Sequence, residues 1–185
     1  MELYAKPIRI IINGASGTGK TTLAKELANH LGIFHMDLDD YYFHHDTELL
    51  CQKSCTRDVI IENVTNDISK HSNFIMSGTI GSILWNLVNP ILSLAVLLIV
   101  PVEIRIERLY NREYSRYGKR ILENGDMYCN YQKLINECKS YETGVHPAVP
   151  TTLERHERWI RELICPVIRL DGTKPIHDNV KKLIH

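Results

Sequence analysis

The chain has 185 residues, which suits one domain with a core of ordinary size. Its 22 basic and 22 acidic residues cancel, which argues against a general electrostatic grip on nucleic acid or membrane. The five cysteines (Cys51, Cys55, Cys129, Cys138 and Cys165) are odd in number and scattered, which argues against a disulfide framework and fits a reducing, cytoplasmic compartment.

Met1 to Lys6 is short and polar and carries no secretory pattern. The apolar run Ile8-Arg9-Ile10-Ile11-Ile12 predicts a first strand. It leads into Gly14-Ala15-Ser16-Gly17-Thr18-Gly19-Lys20-Thr21, a complete G-x-x-x-x-G-K-[ST] pattern. Glycines there let the backbone curl so that its N–H groups converge on phosphate oxygens. A helical pattern follows from Thr21 to Leu31, with Leu23, Leu27 and Leu31 on one face, and adds its positive N-terminal end. Lys20 can reach the β- and γ-phosphates of a nucleotide, and the Thr21 hydroxyl can hold Mg²⁺. A glycine-rich turn without a ligand is the alternative, outweighed by the complete motif in this strand–helix context.

Phe34-His35-Met36 predicts a second strand running into Asp37-Leu38-Asp39-Asp40-Tyr41-Tyr42. In open α/β sheets the ligand crevice lies at the carboxyl ends of the strands. If the chain stays extended, Asp37 and Asp39 share a side. One can then hold a metal shell through water and the other can accept the proton of an attacking hydroxyl. Asp40 takes either role if the chain turns early, and a loop-capping acidic cluster is the alternative. Cys51, Cys55 and His44 or His45 could form a zinc site, but the spacing lacks a second ligand pair, and free cysteines used as small apolar residues are preferred. A helix is predicted over Arg57–Lys70. Arg57 either binds an acceptor phosphate or carboxylate, or is an exposed residue at the helix start.

Phe74-Ile75-Met76 predicts a third strand, ending at Ser77-Gly78. The apolar stretch Ile83 to Val100 is interrupted by Asn86, Asn89 and Pro90, so it reads as a loop or short helix followed by a buried strand, not as a membrane span. Beyond Pro101, the helix Val102–Tyr117 carries Arg105, Arg108, Arg112 and Arg116 at spacings of 3, 4 and 4. Like charges so placed repel by about 0.2–0.5 kcal/mol per pair, a cost that a bound polyanion relieves. The alternative is a solvated face paired with Glu103, Glu107 and Glu113. Lys119 and Arg120 extend the basic run. Residues 118–150 contain Gly118, Gly125, Gly144, Pro147 and Pro150 and no predicted strand, and look like an insertion over the active face with one helix, Asp126–Tyr141. Thr151-x-x-Glu154 predicts a capping box for a helix over Leu153–Ile164. His146 and His156 read as structural. A last strand, Val167–Leu170, ends in Asp171-Gly172-Thr173-Lys174-Pro175, a backbone-rich turn that can hold an adenine ring, before a short helix near Val180.

Continuous apolar strands alternating with helices predict an α/β doubly wound domain, a parallel sheet covered by helices on both faces, spanning residues 1–185. N-K-x-D and D-x-x-G motifs are missing, which argues against a GTPase switch. Strands ending in Ser77-Gly78 and Val100-Pro101 argue against a motor or ring ATPase.

These segments together resemble the small P-loop kinases of the adenylate kinase, shikimate kinase and uridine kinase group. GASGTGKTTLAKELANHLG resembles their first loop and helix. HMDLDD resembles the D-x-D acceptor motif of shikimate kinases, and DLDDYY the acidic-aromatic motif of uridine kinases. RIERLYNREYSRYGKR resembles the arginine-bearing helix and lid of adenylate kinases, and LDGTKP their adenine-side turn. The resemblance spans nearly the whole chain. It implies a three-layer α/β/α fold with a five-stranded parallel sheet in the order 2-3-1-4-5 and a lid at about 112–150. It implies ATP and Mg²⁺, with Lys20, Asp39, Arg112 and Arg116 catalytic and Thr21 and Asp37 at the metal. Nucleotide contacts would run from Gly14 to Thr22 and include Arg112, Gly172 and Thr173. Asp39, Arg57 and Gly78 would face the acceptor. The implied activity is transfer of the γ-phosphoryl group to a nucleoside, a nucleoside monophosphate or another small hydroxyl compound, by a monomer or homodimer without nucleic-acid or membrane partners. The alternatives are a nucleotide-binding ATPase or regulatory protein, and a kinase of a drug or cell-wall precursor.

Overall fold

A computed structural model of the chain describes residues 7–43, 54–144 and 152–184. The apolar runs form β1 (Arg9–Asn13), β2 (Phe34–Asp37), β3 (Phe74–Ser77), β4 (Leu94–Ile99) and β5 (Val167–Asp171). All neighbours pair in parallel, in the order β2-β3-β1-β4-β5, the arrangement that the kinase resemblance implies.

The two-residue period of the strands divides their side chains between two cores. Ile10, Ile12, Ile75, Leu94, Val96 and Leu98 face α1 (Lys20–Leu31) and α8 (Ile176–Ile184). Ile11, Met36, Phe74, Met76 and Ala95 face the other way. There α2 (Leu38–Tyr42), α3 (Arg57–Lys70), α4 (Trp85–Val88) and α7 (Leu153–Glu162) contribute Leu38, Ile60, Val64, Val88 and Trp159. Burial on both faces is why these strands lack the polar alternation of a half-exposed sheet. The fold is a three-layer α/β/α P-loop kinase fold.

Two helices, α3 and α5 (Val102–Tyr117), begin and end where their patterns predict. α7 starts at Leu153 as its pattern predicts, but its cap differs by one residue. Thr152 is its cap, its hydroxyl oxygen accepting the Arg155 N–H at 3.2 Å, while Thr151 lies outside the described residues. The apolar stretch before β4 resolves into α4 and a 3-10 turn at Asn89–Ile91, and among the described residues no helix is long and apolar enough to cross a membrane. The inserted segment packs on α5. Its helix α6 (Tyr128–Thr143) lies along α5, where Leu109, Ile135 and Cys138 form a small third core. An ion pair from Arg120 to Asp126 at 2.6 Å closes the turn before α6.

The end of β3 passes tightly beneath α2. Gly78 has φ +122°, and a Cβ there would stand 2.9 Å from the Cβ of the fully buried Leu38. Both the left-handed backbone and the close approach call for glycine. Gly78→Ala is expected to destabilise the chain by about 1–3 kcal/mol, read as a lower urea midpoint. An unchanged midpoint would show that Leu38 yields freely.

Candidate active site

β1 delivers the chain to the carboxyl edge of the sheet at Asn13, where the glycine-rich loop starts. Gly14, Gly17 and Gly19 all have positive φ. Two of them are also sterically required. A Cβ on Gly14 would stand 2.5 Å from the Leu98 carbonyl oxygen, and one on Gly17 would stand 2.7 Å from that of Arg105. The loop is cinched internally, since Thr18 donates to the Ala15 carbonyl from its backbone N–H at 3.3 Å and from its hydroxyl at 2.9 Å. Lys20 Nζ donates to the same carbonyl at 3.0 Å. Thr21 and Thr22 follow in the first turn of α1, Thr21 half-buried and Thr22 exposed, as is Ser16 in the loop. Burial pushes the Lys20 ammonium below its usual pKa, opposed by the carboxylates of Asp39 and Asp37 and reinforced by Arg112 and Arg105.

The acidic segment does not stay extended. Asp37 ends β2 and becomes the cap of α2, its carboxylate accepting the Asp39 N–H at 3.3 Å. Asp39 and Asp40 therefore occupy the first turn of a helix, the early turn that brings Asp40 alongside. Carboxylates in a first helical turn sit favourably in its dipole. Asp39 has its carboxyl pKa raised, by desolvation and by the Asp37 charge, with Lys20 and Arg112 pulling the other way. Lys20, Asp37, Asp39 and Arg112 thus share one electrostatic field. The aromatic residues that follow anchor α2: Tyr41 donates to Asp67 at 2.7 Å, and the Tyr42 hydroxyl accepts the Gly81 N–H at 2.9 Å.

The arginines of α5 separate into four environments. Arg105 is wholly buried and pairs with Glu142, with further bonds to the Val100 carbonyl at 3.0 Å and the Cys138 Sγ at 3.3 Å. Arg108 bridges the Thr18 carbonyl at 3.2 Å and the Gly172 carbonyl at 3.0 Å. It thereby ties the loop to the turn after β5, where Asp171 Oδ1 accepts the Thr173 N–H at 2.9 Å and hydroxyl at 2.6 Å. Arg112 is half-exposed and bonds Glu113 at 2.7 Å. Arg116 lies over the Tyr117 ring at 5.9 Å, near the far end of the helix. Arg57 is exposed at the start of α3, and Gly78 is buried beneath Leu38. His44, His45, Cys51 and His146 lie outside the described residues. Cys55, Cys129, Cys138 and Cys165 are free thiols.

His156, a structural residue by its sequence pattern, is hydrogen-bonded to the turn after β3. It is 2% exposed, and its ring nitrogens meet the Tyr141 hydroxyl at 2.8 Å and the Thr79 hydroxyl at 3.3 Å. Thr79 continues to Asn13 Oδ1 at 3.4 Å, and that oxygen takes the Gly14 N–H at 2.6 Å. Asn13 and Thr79 had no sequence signal. His156 had one: it stands at an inward-facing position of α7, four residues before the buried Ile160.

The family model described as AAA domain matches residues 10–131, which hold the glycine loop, the acidic turn and the arginine helix. The chain belongs to that family. It is 30% identical over 175 residues to the uncharacterized protein YqaC of Bacillus subtilis (strain 168), covering 95% of this chain and 94% of that protein. It is 21% identical over 198 residues to the cytidylate kinase of Pyrococcus horikoshii, covering 94% of this chain and 93% of that one. Its fold is like that of the shikimate kinase from Bacteroides thetaiotaomicron, with a TM-score of 0.54 and 18% identity over 95% of this chain and 96% of that one.

Desolvation, with Lys20 nearby, lowers the His156 pKa from 6.5 to about 4. The unfolded chain therefore takes up this proton first on acidification. His156 leaves stability intact above pH 6.5 and withdraws it as pH falls towards 4, by roughly 3 kcal/mol in all. Urea unfolding at neutral pH and near the lower value should show this loss, and His156→Gln should remove most of it. An identical loss in the variant would assign it to other groups.

Proposed function

We propose that this member of the AAA-domain family is an ATP-dependent phosphotransferase acting on a small-molecule acceptor: a nucleoside, a nucleoside monophosphate or another small hydroxyl compound. The observation that carries the proposal is the shared field of Lys20, Asp37, Asp39 and Arg112 at the mouth of the glycine loop. A loop that only holds a nucleotide needs Lys20, but it does not need carboxylates at the end of β2 and the start of α2 acting on that lysine.

In this reading the loop amides from Gly14 to Thr22 hold the triphosphate, helped by the positive end of α1. Lys20 bridges the β- and γ-phosphates, exchanging its bond to the Ala15 carbonyl for phosphate oxygens. The turn at Gly172 and Thr173, held to the loop through Arg108, takes the adenine. Asp39 accepts the proton of the attacking hydroxyl, and its raised pKa brings it nearer the working pH of a general base. Arg112 and Arg116 spread the charge of the transferring group, and the segment 112–150 acts as the lid that keeps water from competing. Asp39, Arg57 and the Gly78 turn form the acceptor side. Oxygen donors from Thr21 and Asp37 suit Mg²⁺, which usually keeps several waters and takes one or two carboxylates beside substrate phosphates. When bound, the ion supplies charge neutralisation at the β- and γ-phosphates. The free thiols fit a reducing cytoplasm.

The family description supports a second reading, a nucleotide-binding ATPase without an acceptor. A screen of ATP consumption against nucleosides, nucleoside monophosphates, shikimate-like acids and sugars separates the two. The kinase reading expects stoichiometric phosphorylated product with one class; ATP loss that no compound changes would refute it. Lys20→Ala should abolish turnover, and near-normal turnover would count equally against the proposal. Asp39→Asn should keep nucleotide affinity and suppress transfer, whereas survival of transfer here and its loss in Asp37→Asn would move the base to Asp37. Arg112→Ala is expected to lower kcat by about a hundredfold with little change in nucleotide binding.

A further inference from the structure

A series of side-chain hydrogen bonds from separate elements ends at Asn13 Oδ1, which also accepts the first amide N–H of the glycine loop. Thr79, just beyond β3, has a single hydroxyl proton, and it points to Asn13 Oδ1 at 3.4 Å. The Gly14 N–H at 2.6 Å orients that carboxamide with its oxygen towards the loop. With its proton committed, the Thr79 oxygen is free to accept from His156 Nε2–H at 3.3 Å. A neutral imidazole carrying its proton there has a bare Nδ1, which accepts the Tyr141 O–H at 2.8 Å. The direction of every bond in the chain is thereby set. Tyr141 belongs to α6, His156 to α7, Thr79 to the turn after β3 and Asn13 to the end of β1.

The far end of the chain is also fixed. The Arg105 guanidinium lies over the Tyr141 ring at 5.1 Å, and the backbone of Arg105 is the surface on which Gly17 rests. The loop is therefore braced at two points: at Gly17 directly through α5, and at Gly14 through Tyr141 of α6, His156 of α7, Thr79 and Asn13.

We infer that Thr79 and His156 are positioning residues, which couple the α6–α7 segment to the geometry of the phosphate loop through this chain of hydrogen bonds, which meets the Gly14 N–H at the shared Asn13 Oδ1. The inference rests on the nucleotide-binding part of the reading above. Neither side chain is assigned a contact with a reacting atom. Their effect passes through the Asn13 carboxamide to Gly14, so it appears in nucleotide affinity and in the openness of the loop.

The test uses the full chain with ATP and Mg²⁺ as the probe. Thr79→Val removes the hydroxyl at nearly constant shape, and Thr79→Ser keeps it. Thr79→Val is expected to weaken ATP binding by calorimetry about tenfold, the equivalent of one net hydrogen bond, and to raise deuterium uptake in the peptide spanning the loop. Thr79→Ser should restore both, with the two variants melting at similar temperatures. His156→Phe should act like Thr79→Val, and the double variant should be no worse than the weaker single one, because one chain is broken either way. Unchanged affinity and uptake in Thr79→Val, or additive effects in the double variant, would overturn the inference. Should His156→Phe fail to fold, the Thr79 pair decides alone. Should ATP not bind the wild-type chain, uptake decides. Neither readout requires an acceptor, so absence of phosphoryl transfer counts against the phosphotransferase reading and leaves this one intact.

Discussion

Gly17 rests so closely on the backbone of Arg105 that a side chain could not be interposed, and this contact joins the loop to a helix footed on a buried charge. A guanidinium removed from water must be fully paired, and stripping one partner from a buried pair costs about 3–5 kcal/mol. Arg105 meets that demand with Glu142, the Val100 carbonyl and Cys138, contacts that draw the end of β4 and the whole of α6 towards the loop. Glu142 is partly exposed, so water shares in stabilising its side of the pair. One turn further along, Arg108 fastens α5 to Thr18 and Gly172. The loop, the turn after β5 and the inserted helix are thus all held by one helix.

The stripe of like charges expected from the spacing of these arginines is resolved by giving each its own partner. Repulsion along α5 is offset by the Glu142 carboxylate at Arg105, by two carbonyls at Arg108, by Glu113 at Arg112 and by an aromatic face at Arg116. The stripe grades from wholly buried to exposed along the helix. Its first two members build the site, and the third enters the field of Lys20 and Asp39.

What the sequence made legible was local. Strands buried on both faces appear as unbroken apolar runs, and α3 and α5 are bounded by strong signals, such as Pro101 before α5. The glycine loop is a contiguous motif. The acidic segment leaves two conformations open, because its alternation looks extended while Asp39 and Asp40 in a first turn after Asp37 are a helix-start signal; the helix prevails with Leu38 buried. The packing of the insertion on α5 is not legible, because the apolar positions on α6 are too few to signal a core until α5 supplies the other half. Glu142 lies 37 residues from Arg105, and His156 lies 77 from Thr79, separations across which a single sequence carries no pairing signal.

A net charge of zero conceals a strongly polarised site. Lys20, Arg108 and Arg112 lie on the α1 and α5 side of the loop, while Asp37, Asp39 and Asp40 lie on the β2 side. Beyond the acids the surroundings are neutral hydrogen-bonding groups: Tyr42, Thr79 and an imidazole kept uncharged by burial. The polarity is also self-consistent. The acids hold the Lys20 ammonium nearer its ordinary pKa against desolvation, and Lys20 and Arg112 restrain the rise of Asp39. Removing either sign would shift the protonation of the other, so the loop lysine and the acidic turn behave as one unit although a strand and a helix separate them in sequence.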